Sequence, residues 1–152
     1  MKIKIEIDEN CIEEETVIRC RELNEQVQYL QRTLVEIAAG SQRFPFYRGD
    51  TEYYLSLSEI LFFETQEGGI SVHTLDNVYQ TKYKLYELEE LLPGYFMRVS
   101  KASILNVNRI YSITRNISTC VVEFQNSRKQ VYVSRHYYKP LKAKLEEKRM
   151  RG

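Results

Sequence analysis

The chain opens on a strict alternation of apolar and charged residues. In the segment MKIKIEID, Ile3, Ile5 and Ile7 would share one face of an extended chain, and the charged residues would take the other. A period of two predicts a half-buried strand. The mostly acidic residues 9–15 that follow predict a loop.

Residues 16–39 allow two interpretations. In the first, one continuous helix carries an apolar stripe with spacings of three and four, formed by Cys20, Leu23, Val27, Leu30, Leu34 and Ile37. In the second, which we favour, β-branched residues make Thr16–Arg21 a strand, and Asn24 caps a helix from about 25 to 39. In both, Gly40 ends the helix as a left-handed cap. The stripe suits either packing on its own domain or a dimer surface.

From Phe44 onward, short runs rich in aromatic and β-branched residues alternate with turn residues. This alternation of short apolar runs and turns predicts a mainly β, α+β protein with about ten short antiparallel strands. Two helices interrupt it, one around Leu85–Leu92 that Pro93 stops, and one from His136 to about Lys148. The predicted strands are Phe44–Arg48, Glu52–Ser56, Leu61–Glu64, Ile70–Thr74, Val78–Lys82, Phe96–Val99, Ile104–Asn106, Ile110–Thr114, Cys120–Phe124 and Gln130–Val133.

The sequence offers no enzyme or metal motif. Its two histidines, His73 and His136, are not paired by any metal-binding spacing, and Gly68-Gly69 lacks the third glycine of a phosphate-binding loop. The three cysteines form no C-x-x-C pair, so we expect reduced, mostly buried thiols in a cytoplasmic protein without a cofactor. No apolar run is long enough for a transmembrane helix or a secretory signal.

The formal charge of +1 hides a strong asymmetry along the chain. Residues 1–40 carry a net charge of −4, residues 41–93 carry −5, and residues 94–152 carry +10. A segregated basic region indicates a polyanionic partner such as nucleic acid or an anionic membrane.

The basic residues fall at the ends of predicted strands, where we expect them to form one cationic edge. They are Arg98, Lys101, Arg109, Arg115, Arg128, Lys129 and Arg135. Neutral groups that commonly bind phosphates or base edges lie among them, namely Ser100, Ser103, Asn106, Asn108, Ser134 and Tyr137. Lys101 and Arg135 follow directly after strands, and such side chains can bridge O6 and N7 of guanine.

The order of four motifs resembles the LytTR DNA-binding domain of bacterial response regulators. The motifs are YLSLSEILFFE at Tyr54–Glu64, LYELEELL at Leu85–Leu92, FMRVSKASILN at Phe96–Asn106 and VSRHYY at Val133–Tyr138. The resemblance covers residues 44–146. It implies a β domain that places loops in successive major grooves at paired direct repeats and bends the DNA. Residues 1–43 would then be a strand-helix extension for dimerisation or regulation, and 147–152 a basic tail.

By the same resemblance, Lys101 and Arg135 hold base-reading positions, and the third reading loop corresponds to Thr65–Ser71. The residues expected to contact DNA backbone or to support the loops are Ser71, Arg98, Ser100, Asn106, Ser134, Tyr137 and Lys139. The family often has His-Arg-Ser where this chain has Ser100-Lys101-Ala102, so its base preference should differ. Gly68-Gly69 offers no side chains for direct readout.

The sequence-based hypothesis is therefore a DNA-binding transcriptional regulator that acts as a homodimer. Short stand-alone proteins of this family are commonly encoded beside a small membrane protein that restrains them, which implies such an inhibitor here. Two alternatives stay open: a protein-interaction module whose basic face binds an acidic partner, and a single-stranded nucleic-acid binder with stacking Tyr side chains. An enzyme is the least supported class.

Overall fold

The computed structural model describes residues 1–41 and 43–151, and it contains all ten strands predicted from Phe44 onward. Each begins and ends within two residues of its expected bounds, and every pairing is antiparallel. The mainly β, α+β fold class is confirmed. The strands are β1 Arg43–Arg48, β2 Thr51–Ser56, β3 Phe62–Gln66, β4 Gly69–His73, β5 Val78–Thr81, β6 Phe96–Arg98, β7 Ser103–Asn106, β8 Ile110–Arg115, β9 Cys120–Phe124 and β10 Gln130–Tyr132.

Three α-helices accompany the strands: α1 at Glu25–Ser41, α2 at Leu85–Leu91 and α3 at Arg135–Arg151. Asn24 caps α1 as predicted, because its Oδ1 accepts a hydrogen bond of 2.9 Å from the Val27 amide. The predicted stop at Gly40 is wrong, since α1 continues through it to Ser41. Glycine also adopts the helical conformation, so it ends a helix only where the chain turns away. The basic tail predicted for residues 147–152 lies largely within α3.

The chain divides into two compact units, residues 1–33 and residues from Leu34 onward. In the first unit, neither predicted strand is formed, and residues 1–24 contain no regular secondary structure. Ile3, Ile5 and Ile7 are 86–93 % exposed. A strand is stable only with a partner for its backbone hydrogen bonds, and the alternation in residues 1–8 has none among the described residues.

The second unit contains two sheets, one of seven strands in the order β2-β1-β5-β4-β3-β7-β6 and one in the order β10-β9-β8. Residues of the large sheet are buried on both faces. Phe63 packs with Leu85 and Leu88 of α2, whereas its neighbour Phe62 packs with Phe124 of the small sheet. Successive side chains of a strand point to opposite faces, so two adjacent phenylalanines serve two cores.

The cysteine expectation is only partly met. Cys11 and Cys20 are exposed and Cys120 is buried, and all three are free thiols. Burial raises the pKa of Cys120, as expected for a thiol that packs as a small apolar residue. Within the described residues, no helix is long and apolar enough to cross a bilayer, and no cluster of His, Cys, Asp and Glu could hold a metal ion.

Candidate nucleic-acid interface

Antiparallel strands divide the loops of the second unit between two opposite ends. We call one the Lys101 end: the β3–β4 turn, residues 99–102 between β6 and β7, the turn 116–119, and the junction 133–135 before α3. The other is the Lys129 end: residues 74–77, 107–109 and 125–129.

Lys101 is exposed at the tip of the segment between β6 and β7. Arg98 braces this tip from one side, donating from Nε to the Ser100 carbonyl (2.7 Å) and from Nη2 to the Lys101 carbonyl (2.6 Å). Its Nη1 forms an ion pair with Glu89 of α2. The Ala102 amide donates to the Ser100 hydroxyl at 3.1 Å, which closes the turn. The arginine fork therefore holds the loop, and Lys101 projects from a braced backbone.

Two backbone hydrogen bonds join this tip to the other predicted reading segments. The Ser134 amide donates to the Val99 carbonyl at 2.8 Å, and the Thr65 amide donates to the Ala102 carbonyl at 2.8 Å. Arg135 follows as the first residue of α3 and is exposed. The structure thus brings together all three segments that the resemblance singled out.

The third segment differs in form from the expected loop. Most of Thr65–Ser71 belongs to β3 and β4, and the turn itself consists of Glu67 and Gly68, with Gly68 at φ 89° and Gly69 at φ 146°. Those positive φ values explain the two glycines, because other residues adopt them only with strain. The exposed side chains beside the turn are Gln66 and Glu67. Both lie within the predicted loop Thr65–Ser71 but were not singled out as contact residues, although the register of the hairpin would have placed them at its tip.

Two of the residues predicted to contact DNA backbone or to support the loops are buried. The Ser71 hydroxyl donates to the Glu64 carbonyl at 3.0 Å and lies 3.1 Å from His73 Nε2. Asn106 Nδ2 donates to the Ile60 carbonyl at 3.0 Å, and its Oδ1 accepts from the Asn108 amide at 2.9 Å. Ser71 and Asn106 are each 1 % exposed, so this geometry fits support of the loops and not direct contact with DNA.

The start of α3 carries the remaining predicted residues. Ser134 and Tyr137 are half-buried, and the Tyr137 amide donates to the Ser134 carbonyl at 2.9 Å. Lys139 is exposed one turn after Arg135. Arg115 lies at the same end of the small sheet, with its guanidinium carbon 3.9 Å from the centre of the Tyr138 ring. The Lys101 end therefore adds cations on α3 and β8 to the two candidate reading residues.

At the Lys129 end, by contrast, Lys129 and Arg109 form hydrogen bonds within the protein. Lys129 Nζ donates to the carbonyls of Thr74 (2.8 Å) and Asn77 (3.3 Å) and lies 3.4 Å from His73 Nδ1. Burial lowers the pKa of Lys129, while Asp76 opposes the shift. Burial and the Lys129 charge lower the pKa of His73 to about 4, so its imidazole is neutral at pH 7.

The prediction of a single cationic edge is therefore wrong. Arg109, Arg128 and Lys129 lie at the Lys129 end, away from Lys101 and Arg135. Consecutive antiparallel strands end alternately at opposite sides of a sheet, so basic residues at successive strand ends are divided between the two. Arg109 donates from Nη1 to the Ser58 carbonyl at 3.5 Å, and its buried Nε has no partner within the described residues.

The chain is similar to a known domain family, to named bacterial proteins and to a solved structure. Residues 50–146 match the family described as the LytTr DNA-binding domain. Two Staphylococcus aureus proteins named as HTH-type transcriptional regulators, from strains NCTC 8325 and MRSA252, are 25 % and 24 % identical to this chain; each alignment covers 95 % of this chain and 98 % of the relative. A solved LytTr DNA-binding domain of a response regulator from Bacillus cereus is 26 % identical, with a TM-score of 0.62 over 68 % of this chain and 96 % of that one.

The relatives' names point to a helix-turn-helix, which the described part of this chain lacks. Strands separate α1 from α2 and α2 from α3, so no two helices are joined by a short turn there. The exposed surface of the Lys101 end is instead built from loops and the start of α3.

Proposed function

Because the chain belongs to the LytTr DNA-binding domain family, we propose that it is a transcriptional regulator that binds double-stranded DNA sequence-specifically. In this proposal, loops of the Lys101 end enter successive major grooves at direct repeats. The observation that carries it is the pair of backbone hydrogen bonds, Ser134 to Val99 and Thr65 to Ala102, that holds three loop segments together. A fixed set of loops can present several side chains in one register to base edges.

Lys101 and Arg135 are the proposed base-reading residues. Both are exposed, and each projects from a backbone whose neighbours are tied to another segment. The planar fork of Arg135 can bridge O6 and N7 of guanine, a contact worth about 1–3 kcal/mol of discrimination. Lys101 supplies a point charge with freer geometry, so its base preference should be broader.

The β3–β4 turn gives a third, weaker contribution. Gln66 can pair with adenine and Glu67 can accept a hydrogen bond from cytosine N4, whereas Gly68 offers only its backbone amide. A carboxylate also repels phosphates, so Glu67 would favour a base edge over the DNA backbone.

The other predicted residues are proposed either to contact DNA phosphates or to hold the loops in position. Tyr137, Ser134 and Lys139, at the start of α3, are proposed to contact phosphates. Arg98, Ser100, Ser71 and Asn106 are proposed as positioning residues, because their polar atoms are engaged within the protein.

Three further features of the proposal come from the family resemblance. The protein would act as a homodimer, because paired repeats need two reading surfaces. A small membrane protein that restrains it would supply its input signal. Binding to the chromosome would place the regulator in the bacterial cytoplasm.

The experiment that tests this function selects a duplex from a random pool with the purified full chain. Affinity for that duplex is then compared with affinity for a scrambled duplex and for each single strand, across a salt series. We expect specific binding roughly 10³-fold or more tighter than nonspecific binding at physiological salt. The affinity should fall as salt rises, through release of counterions from the phosphates.

Three results would contradict the proposal. Equal affinity for all duplexes would reduce the Lys101 end to a phosphate-binding surface. Tight binding to single strands without duplex binding would favour stacking on Tyr side chains. No binding to any nucleic acid would favour an acidic protein as the partner of the basic face.

A further inference from the structure

Residues 2–8 have the alternation of a strand but pair with no strand in the described part of the chain. Ile3, Ile5 and Ile7 are 86–93 % exposed, and their alternation puts them on one face of an extended chain. On the other, Lys4 Nζ lies 2.9 Å from Glu6 Oε1, and both side chains remain exposed. Contact between residues two apart is expected when the backbone is extended. The segment thus has the pattern of a β strand whose ladder partner is not found in the described residues.

We infer that residues 2–8 pair with the same segment of a second copy, as an antiparallel ribbon with Ile5 on the two-fold axis. In this register, Ile5 lies opposite Ile5 and Ile3 lies opposite Ile7. On the other face, Lys4 lies opposite Glu6, and Lys2 lies opposite Asp8. Each charged residue therefore faces an opposite charge across the ladder, which stabilises a sheet pair. The contact is isologous, the arrangement of a two-fold dimer.

Other registers are less favourable for the same sequence. Moving the two-fold axis to Lys4 places that lysine opposite its own copy, and moving it to Glu6 does the same for that carboxylate. A shift by one residue sets isoleucines opposite charges. A parallel in-register pair stacks Lys2 on Lys2 and Lys4 on Lys4. Only the antiparallel register centred on Ile5 matches every charge and every isoleucine, and this complementarity is why a second copy is the inferred partner.

The apolar side of such a ribbon would present six isoleucines, three from each copy, and a two-stranded ribbon alone is marginally stable. The same unit holds further exposed apolar side chains, Ile12, Val17 and Leu23. They are available to cover that face from both copies. The inference deepens the proposed homodimer by naming its contact, but it does not depend on DNA binding.

The first test measures the oligomeric state of the full chain by sedimentation without DNA. Lys4→Glu sets two carboxylates opposite each other in both halves of the ribbon, so we expect the dimer to weaken about tenfold. Glu6→Lys should weaken it equally. The double exchange Lys4→Glu with Glu6→Lys restores opposite charges and should restore the dimer. Circular dichroism should show an unchanged fold, since both residues are exposed.

The second test fixes the register by disulfide formation in a Cys11→Ser, Cys20→Ser background. Ile5→Cys should give a covalent dimer on oxidation, because that position faces itself within disulfide distance. Ile3→Cys alone should not link, but it should link to a separate Ile7→Cys chain after mixing.

A monomeric wild type at micromolar concentrations would overturn the inference. So would a dimer that is indifferent to Lys4→Glu, or one that links through Ile3→Cys alone. Because these measurements use no DNA, failure here leaves the DNA-binding proposal standing, and failure of DNA binding leaves the ribbon standing.

Discussion

The two ends of the β domain carry similar residues but use them differently. At the Lys129 end, the ammonium group of Lys129 is surrounded by carbonyls of residues 74–77 and by His73. At the Lys101 end, Arg98 likewise donates hydrogen bonds to backbone carbonyls, whereas Lys101 and Arg135 are exposed. The position of a cation at a strand end therefore does not by itself identify a nucleic-acid contact.

Substitutions at the two ends should therefore have different effects. Substitutions at the Lys129 end should change the free energy of unfolding and leave DNA specificity intact. Substitutions at the Lys101 end should change DNA binding more than stability. Four sets of variants test that separation, from the largest expected effect to the smallest.

Asn106→Ala should give the largest loss of stability. It removes the donor to the Ile60 carbonyl inside the protein and leaves that acceptor buried without its partner. We expect the free energy of unfolding to fall by about 2–3 kcal/mol, measured by urea denaturation. Gln125→Ala, which removes an exposed amide near the same end, should change it by less than about 0.5 kcal/mol. Equal effects of the two would contradict the structural role of Asn106.

Arg98→Ala should separate positioning from contact at the Lys101 end. Loss of the bonds to the carbonyls of Ser100 and Lys101 frees the loop, and specific affinity should fall about tenfold or more, corresponding to about 1.5–3 kcal/mol for charged hydrogen bonds. Arg98→Lys keeps the charge but loses the fork, so it should not restore binding. Full rescue by lysine would show that Arg98 acts as a charge on DNA and not as a brace.

Acidification should destabilise the protein through His73. Its folded pKa of about 4 lies below the unfolded value of 6.5, so the unfolded state binds the proton first as pH falls. The contribution of neutral His73 to the free energy of unfolding is fully present above pH 6.5. It declines between pH 6.5 and 4 and levels off below pH 4. We expect a loss of about 1–2 kcal/mol after solvent screening of a half-exposed ring.

Denaturation of the wild type and His73→Gln at several pH values isolates this contribution, because both proteins share all carboxylates. Lys129→Met removes one cause of the lowered pKa, so its loss on acidification should be smaller. An identical pH dependence in all three proteins would contradict the coupling of His73 and Lys129.

Arg115→Ala should give the smallest decrease in the free energy of unfolding, measured by urea denaturation. The guanidinium lies over the Tyr138 ring, and an exposed cation–π contact contributes about 0.5–1 kcal/mol. Tyr138→Leu should cost a similar amount, and the double variant should cost less than the sum of the two. Tyr138→Phe, which keeps the ring, is the matched control. Additive costs would mean that the two groups do not stabilise each other.

Much of the fold could be predicted from the chain alone because its signals are local. Alternation within strands and turn residues such as Gly49 and Gly68 specify short antiparallel pieces. The candidate positions Lys101 and Arg135 could also be picked out from the sequence, since both lie just past the ends of predicted strands. The burial of Ser71 and Asn106 was not, because their burial depends on tertiary packing, and the Asn106 bond to Ile60 spans 46 residues.

The same limit explains two of the wrong predictions, the strand at residues 1–8 and the single cationic edge. Alternation in residues 1–8 describes a strand but says nothing about where a partner is. The spacing of basic residues identifies strand ends but not which end of the sheet each occupies, so it groups Arg109 and Lys129 with Lys101. Both errors concern contacts between segments far apart in the chain, which local periodicity does not encode.

The most direct test of DNA reading by the Lys101 end is a base-resolved preference profile on duplex DNA, at fixed salt, for four proteins. These are the wild type, Lys101→Ala, Arg135→Ala and Arg128→Ala, whose removed cation lies at the Lys129 end. We predict that Lys101→Ala and Arg135→Ala each lose preference at one or two base pairs of every half-site, by about 1–3 kcal/mol, while Arg128→Ala keeps the wild-type profile. A uniform loss across all positions in Lys101→Ala and Arg135→Ala, or a changed profile in Arg128→Ala, would contradict that assignment.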